Sequence, residues 1–198
     1  MSIVTVSWRS IRAEIARELH RHGLYASFCP RTGHCRDLGA DGACDRGVAG
    51  DFLTPSQVAA SRAVMGLDTQ LIADGTYLLV HAGDGRLAGC GGWSRRATLY
   101  GGDHSTSLRD AALLDPSHDA ARIRAMYTDP DFVRRGVARL VLSVCEAAAR
   151  DAGFARAEMM ATLAGEPLYR ACGYQPIEHI ETPGEVPVPM IRMGKALI

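Results

Sequence analysis

Asp129-Pro130-Asp131-Phe132-Val133-Arg134-Arg135-Gly136-Val137-Ala138-Arg139 is the stretch on which the reading of this chain turns. Residues 122–128 before it have strand character, and residues 137–151 after it have the spacing of a helix. A basic turn with a glycine in it therefore delivers the chain from a strand straight into a helix. The first amides of a helix have no intrahelical acceptor, and the helix dipole puts partial positive charge behind them. Such a turn is a natural cradle for a pyrophosphate, and Arg134 and Arg135 add guanidinium groups whose planar fork suits phosphate oxygens. The plain alternative is a bend in which Gly136 only permits the change of direction.

Downstream, Arg139, Ser143, Glu146 and Arg150 recur at spacings of four, three and four along the helix, one polar stripe expected in solvent. The other positions are Val, Leu, Ala and Cys, so the helix should pack heavily against a sheet. Gly153 stops it; residues 154–162 read as a strand and 166–171 as a short helix ending at Cys172-Gly173. Two strands, 175–181 and 190–195, follow around a loop holding Pro183, Pro187 and Pro189.

Upstream, residues 3–8 read as a strand and 11–22 as a helix stopped by Gly23. Thr54, Pro55 and Gln57 form a capping box that opens a helix to about residue 65. A helical turn near 69–73 precedes a hairpin, 77–81 and 86–94, turned by Gly83-Asp84-Gly85. A polar loop, about 101–119, leads to the strand at 122–128. Residues 24–50 have no clear period and read as an insertion or loop. The order of elements predicts a mixed α/β (α+β) chain, and 198 residues suit a single domain over 1–198.

The balance of 22 basic and 22 acidic residues gives nucleic acid no global electrostatic claim. No apolar run has the length of a membrane span, and the N-terminus lacks the sections of a signal peptide, so a cytoplasmic protein is expected. Cys90, Cys145 and Cys172 sit in apolar segments and read as core residues. Cys29, His34, Cys35 and Cys44 match no common zinc spacing; no metal is expected, and a metal or redox role for this region is the remote alternative.

A second segment, Pro167-Leu168-Tyr169-Arg170-Ala171-Cys172-Gly173-Tyr174, places a tyrosine on a short helix ending at glycine. Together the two segments resemble the GNAT superfamily of N-acetyltransferases. Val133-Arg134-Arg135-Gly136-Val137-Ala138 is similar to that family's pyrophosphate motif, Arg/Gln-x-x-Gly-x-Gly/Ala, and the second segment to its leucine-tyrosine-x-x-x-glycine-aromatic signature. The chain departs from the pattern at Val133, where arginine or glutamine is usual. It departs again at Thr162, where many relatives have asparagine; Ala138 in place of the second glycine is a tolerated change.

The resemblance implies a central, mostly antiparallel sheet with one splayed parallel strand pair, flanked by helices. Acetyl-CoA would be the cosubstrate, its pantetheine arm paired with the backbone of Met126 and Thr128. Its pyrophosphate would rest on Arg134, Arg135, Gly136, Val137, Ala138 and Arg139. The implied reaction is direct attack of a primary amine on the thioester, with Tyr169 as the acid that meets the departing thiolate. The acceptor would be a small molecule or a peptide; neither nucleic acid nor membrane is implied. A tyrosine tied up in the core is the alternative for Tyr169. Asp103, His104 and Glu158 are candidate bases, and Trp93 is either a wall of the acceptor pocket or a core residue. Val133 and the unmarked base leave room for a non-catalytic acyl-CoA-binding or regulatory module of the same fold. An exposed C-terminal strand offers an edge for a homodimer.

Overall fold

The computed structural model describes residues 24–28, 53–61, 65–103 and 105–197. The strand and helix expected at 3–8 and 11–22, and Cys29, His34, Cys35 and Cys44, lie outside the described residues. The elements in chain order are β1 (Leu24–Phe28), α1 (Pro55–Ser61), α2 (Thr69–Asp74), β2 (Tyr77–Ala82), β3 (Leu87–Ser94) and β4 (Ala121–Thr128). They continue as α3 (Val137–Asp151), β5 (Arg156–Thr162), α4 (Glu166–Ala171), β6 (Gln175–Glu181) and β7 (Pro189–Ala196). The strands form one seven-stranded sheet in the order β1-β2-β3-β4-β5-β7-β6. Every neighbouring pair is antiparallel except β4 and β5.

Local chemistry accounts for most of these elements. The capping box at α1 closes as expected: Thr54 N–H donates to Gln57 Oε1 at 3.0 Å, and Gln57 N–H donates to Thr54 Oγ1 at 3.3 Å. The β2–β3 turn closes with Gly85 N–H donating to the Ala82 carbonyl at 2.9 Å. Gly89 and Gly91 on β3 let α3 lie close to the sheet. A β-carbon at Gly89 would come within 2.6 Å of Val137 Cγ1, and one at Gly91 within 2.7 Å of Val141 Cγ1. Val141, Leu142 and Cys145 of α3 then bury against Leu78, Val80 and Ile123. On the other face, α2 packs Leu71 and Ile72 against Tyr77, Leu79 and Cys90.

Three expectations are corrected. Leu24–Phe28, read as part of an unpatterned insertion, forms β1 and pairs with β2, with Leu24 opposite Ala82 and Phe28 opposite Leu78. A five-residue edge strand owes its form to its partner's backbone, which leaves little local signal. Glu146, placed in the solvated stripe of α3, is buried and accepts a 2.7 Å hydrogen bond from Lys195 Nζ at the end of β7. The Lys195 side chain reaches that position from β7, a partner that spacing along the helix does not reveal. The last strand, β7, is no edge: it pairs with β5 on one side and β6 on the other. No helix among the described residues is long and apolar enough to cross a membrane.

Candidate active site

The parallel pair separates soon after it forms. Ala121, Arg122 and Ile123 pair with Ala157, Glu158 and Met159, and the ladder then stops. β5 runs on against β7 as far as Thr162 opposite Met190, so β4 is the strand that leaves. Its departure has a local cause. Tyr127 lies opposite Cys90 and Arg124 opposite Gly92, so Ala125 and Met126 together face the single residue Gly91. This is a bulge, and Ala125 takes a positive φ of 51° to form it. A bulge bends and twists its strand, and here it swings β4 off β5.

The split encloses about 110 Å³. Arg124 and Tyr127 of β4, Met160 and Thr162 of β5, and Tyr169 of α4 line it. Residues 65–66 before α2 and 99–102 after β3 form the opposite wall. Among the described residues, no group of three or more His, Cys, Asp or Glu is arranged to hold a metal ion.

Beyond β4 the chain makes a single 3-10 turn, Pro130–Phe132, in which Asp129 Oδ1 accepts from Asp131 N–H at 2.8 Å. Residues 133–136 form the turn singled out from the sequence, and all four are exposed. Arg134 and Gly136 hold positive φ values of 63° and 84°. Among the described residues, none of the amides of 134–139 donates a well-formed hydrogen bond within the protein. Leu140 N–H, to the Gly136 carbonyl at 2.9 Å, is the first to do so. Open space surrounds the Gly136 α-carbon, so glycine is needed there for its φ, not for room. Phe132 is buried under the turn, with the guanidinium of Arg86 4.8 Å and that of Arg135 5.3 Å from its ring centre. Arg135 is thus steadied by a cation–π contact while Arg134 and Arg139 stand in solvent.

Tyr169 reaches the other end of the split. It is 9% exposed, its ring meets that of Tyr174 edge-on at 6.3 Å, and it lines the cleft. Burial, with a smaller contribution from Cys172, pushes its hydroxyl up to about 12. It therefore carries its proton throughout the neutral range and has one to give there. Thr162 also lines the cleft; its Oγ1 accepts the Gly165 N–H at 3.2 Å and starts the turn that carries Tyr169.

The candidate bases fare differently. Glu158 lies at the closed end of the split, where Oε2 accepts from Arg122 and from Arg192 Nη2 at 2.7 Å. Asp103 accepts from Thr69 N–H at 3.0 Å and braces the start of α2. His104 is outside the described residues. Trp93 is a core residue, edge-on to Phe154 at 6.2 Å, and forms no part of the cleft lining.

Two cleft residues were not singled out from the sequence. Arg124 is 5% exposed; its Nη1 pairs with Asp68 Oδ2 at 2.7 Å and its Nη2 donates to the Gly101 carbonyl at 2.6 Å. Tyr127 Oη accepts the Gly66 N–H at 2.9 Å. Both tie the opposite wall, at Gly66 and Gly101, to β4. The signal for Arg124 is an arginine inside a strand flanked by apolar segments, which has to find a buried partner.

A sequence model of the acetyltransferase (GNAT) family matches residues 51–174, more than half of the chain. The chain belongs to this family. Membership supports acyl transfer in general as its chemistry, and acetyl-CoA is the family's cosubstrate. Solved structures share the GNAT fold at low identity. The GCN5-related N-acetyltransferase of Rhodopseudomonas palustris aligns with a TM-score of 0.59 at 15% identity, over 87% of this chain and 94% of that one. The PaiA N-acetyltransferase of Thermoplasma acidophilum, solved with coenzyme A, gives 0.56 at 11%, over 87% and 98%. Ard1 of Thermoplasma volcanium gives 0.54 at 10%, over 89% and 99%. No curated protein sequence matches this GNAT chain significantly. At such identities the likeness speaks for the fold alone.

Proposed function

We propose that this GNAT protein is an acetyl-CoA-dependent N-acetyltransferase in which a primary amine attacks the thioester directly. The observation that carries this reading is the position of Tyr169 on the wall of the same split whose β4 edge leads into the open amides of 134–139. Past Ile123 the β5-facing edge of β4 has no ladder partner among the described residues, so an extended pantetheine arm along Met126 and Thr128 would supply a strand there. The pyrophosphate would then meet the amides of Arg134, Arg135, Gly136, Val137, Ala138 and Arg139, with the dipole of α3 behind them. Val133 contributes no polar contact, and the backbone cradle does not need one.

In the reaction the amine lone pair forms the C–N bond, and the C–S bond breaks with its electron pair on sulfur. The Tyr169 hydroxyl donates to that sulfur, and the proton shed by the acetylated nitrogen passes through water to restore the Tyr169 hydroxyl. Coenzyme A should raise the thermal midpoint, as a ligand of the native state does. Thiol should also be released from acetyl-CoA when an amine is present. Coenzyme A binding without thiol release from any amine would make the protein a binding module instead; no thermal shift at millimolar acetyl-CoA would remove the cofactor site altogether.

A further inference from the structure

Five of the chain's seven methionines, Met65, Met126, Met159, Met160 and Met190, line this one cleft. They arrive from different places: the segment before α2, the bulge of β4, adjacent positions of β5 and the start of β7. Unbranched thioethers adapt their shape and offer polarisable contact, but they accept hydrogen bonds poorly. The one charged side chain among the described lining residues is Arg124, and Asp68 already compensates it at 2.7 Å. Among the described residues no carboxylate lines the cleft. Two nearby acids are held in ion pairs, Asp68 with Arg124 and Arg109 and Glu158 with Arg122 and Arg192, and Asp103 accepts the Thr69 amide with Arg109 3.8 Å away.

Resting on the acetyl-transfer reading above, we propose that the acceptor is a monoamine carried on an apolar body, bound in its uncharged form, and that polycations are poor substrates. An ammonium ion entering this cleft would give up its water and find no anion among the described lining residues to replace it, which disfavours the charged form. A neutral amine loses much less and leaves its apolar part against the methionines. The same environment explains how the amine arrives ready to attack although no base stands beside Tyr169 among the described residues. The ammonium gives its proton to water before binding, and the cleft selects the neutral molecule.

The test is kcat/KM for thiol release on the native protein with phenethylamine, aniline, spermidine and 1,4-diaminobutane. The expected result is a phenethylamine value at least about tenfold above either polyamine, equivalent to roughly 1.4 kcal/mol of discrimination. The pH at which kcat/KM levels off should follow the amine's own ionisation, falling by several units from phenethylamine to aniline. Polyamines used as well as or better than phenethylamine, or a plateau fixed at one pH for every amine, would overturn the proposal while leaving acetyl transfer intact. No thiol release with any of them would overturn the transfer reading itself and this inference with it. As a second measurement, Met160→Glu places an anion in the cleft and should move preference toward 1,4-diaminobutane; an unchanged ratio in a folded variant counts against the proposal.

Discussion

Gly165 lies flat against the ring of Tyr169: a methyl on its α-carbon would come within 2.8 Å of Tyr169 Cε2 and 3.5 Å of Cζ. The backbone of Gly165 is not in the left-handed region, so the constraint at this position is contact alone. Gly165→Ala should therefore displace the tyrosine without straining the turn. A shift of about 1 Å in a reacting group costs on the order of 100-fold in rate. Steady-state kinetics should show kcat falling about that far with a thermal midpoint near that of the native protein. An unchanged kcat would mean that the hydroxyl position does not matter.

Tyr169→Phe removes the donor and leaves the ring. Turnover should fall by about 100-fold or more, the usual size of a proton-transfer contribution, with coenzyme A binding unaltered by thermal shift. Because burial pushes this hydroxyl up to about 12, its protonated form is complete below that pH and is lost only as pH rises through it. The native pH profile should accordingly show no alkaline fall from this group up to pH ~10.

At Gly136 the demand is the φ of 84°, since nothing lies within 4 Å of where a β-carbon would stand. Gly136→Val should cost about 1–2 kcal/mol through the left-handed backbone, whereas Gly136→Asn should cost less. The valine variant should also lose most of the thermal shift given by coenzyme A, because the turn is the same backbone that offers the open amides. Isothermal titration on both variants would separate a loss of fold from a loss of binding.

Arg124 and Asp68 are both buried, and Arg109 Nη1 joins them at 3.0 Å from Asp68 Oδ1. Breaking a buried pair from one side leaves an uncompensated charge, a loss of about 3–5 kcal/mol. Asp68→Asn should therefore lower stability by about that amount in chemical denaturation, and Lys in place of Arg124 should not restore the bond to Gly101 as well. A loss under about 1 kcal/mol would show that the pair is not buried in solution.

Asp74 should contribute to acid sensitivity. Its carboxylate accepts from Arg96 Nε at 2.7 Å and Nη2 at 2.9 Å. These bonds outweigh the opposing effect of burial and hold the group below its ordinary 3.8. A depressed folded-state value means that the contribution is present above pH 3.8 and is lost as pH falls below it. Asp74→Asn should lower the thermal midpoint by a few degrees at pH 7, and the gap to the native protein should narrow as pH falls below 3.8.

The residues 137–151 show what local pattern can and cannot carry. Their apolar spacing marks a helix with the same bounds in sequence and structure, Val137–Asp151, because a 3.6-residue period is a property of neighbours along the chain. Glu146 within it has the spacing of a solvated residue, and only the position of β7 shows that Lys195 meets it. The short strand Leu24–Phe28 is hidden from local pattern for the same reason: its partner, β2, lies some fifty residues away.

The amino-acid sequence by itself determined the mixed architecture, the basic turn before α3 and the tyrosine helix after β5. Each depends on caps, glycines and periodicity within a few residues. Only the tertiary structure decided that a bulge at Ala125 and Met126 parts β4 from β5, and that methionines from four separate segments meet in the opening. Those are facts of register between strands far apart in the chain, and a side chain's companions are set by backbone pairing rather than by its own neighbours.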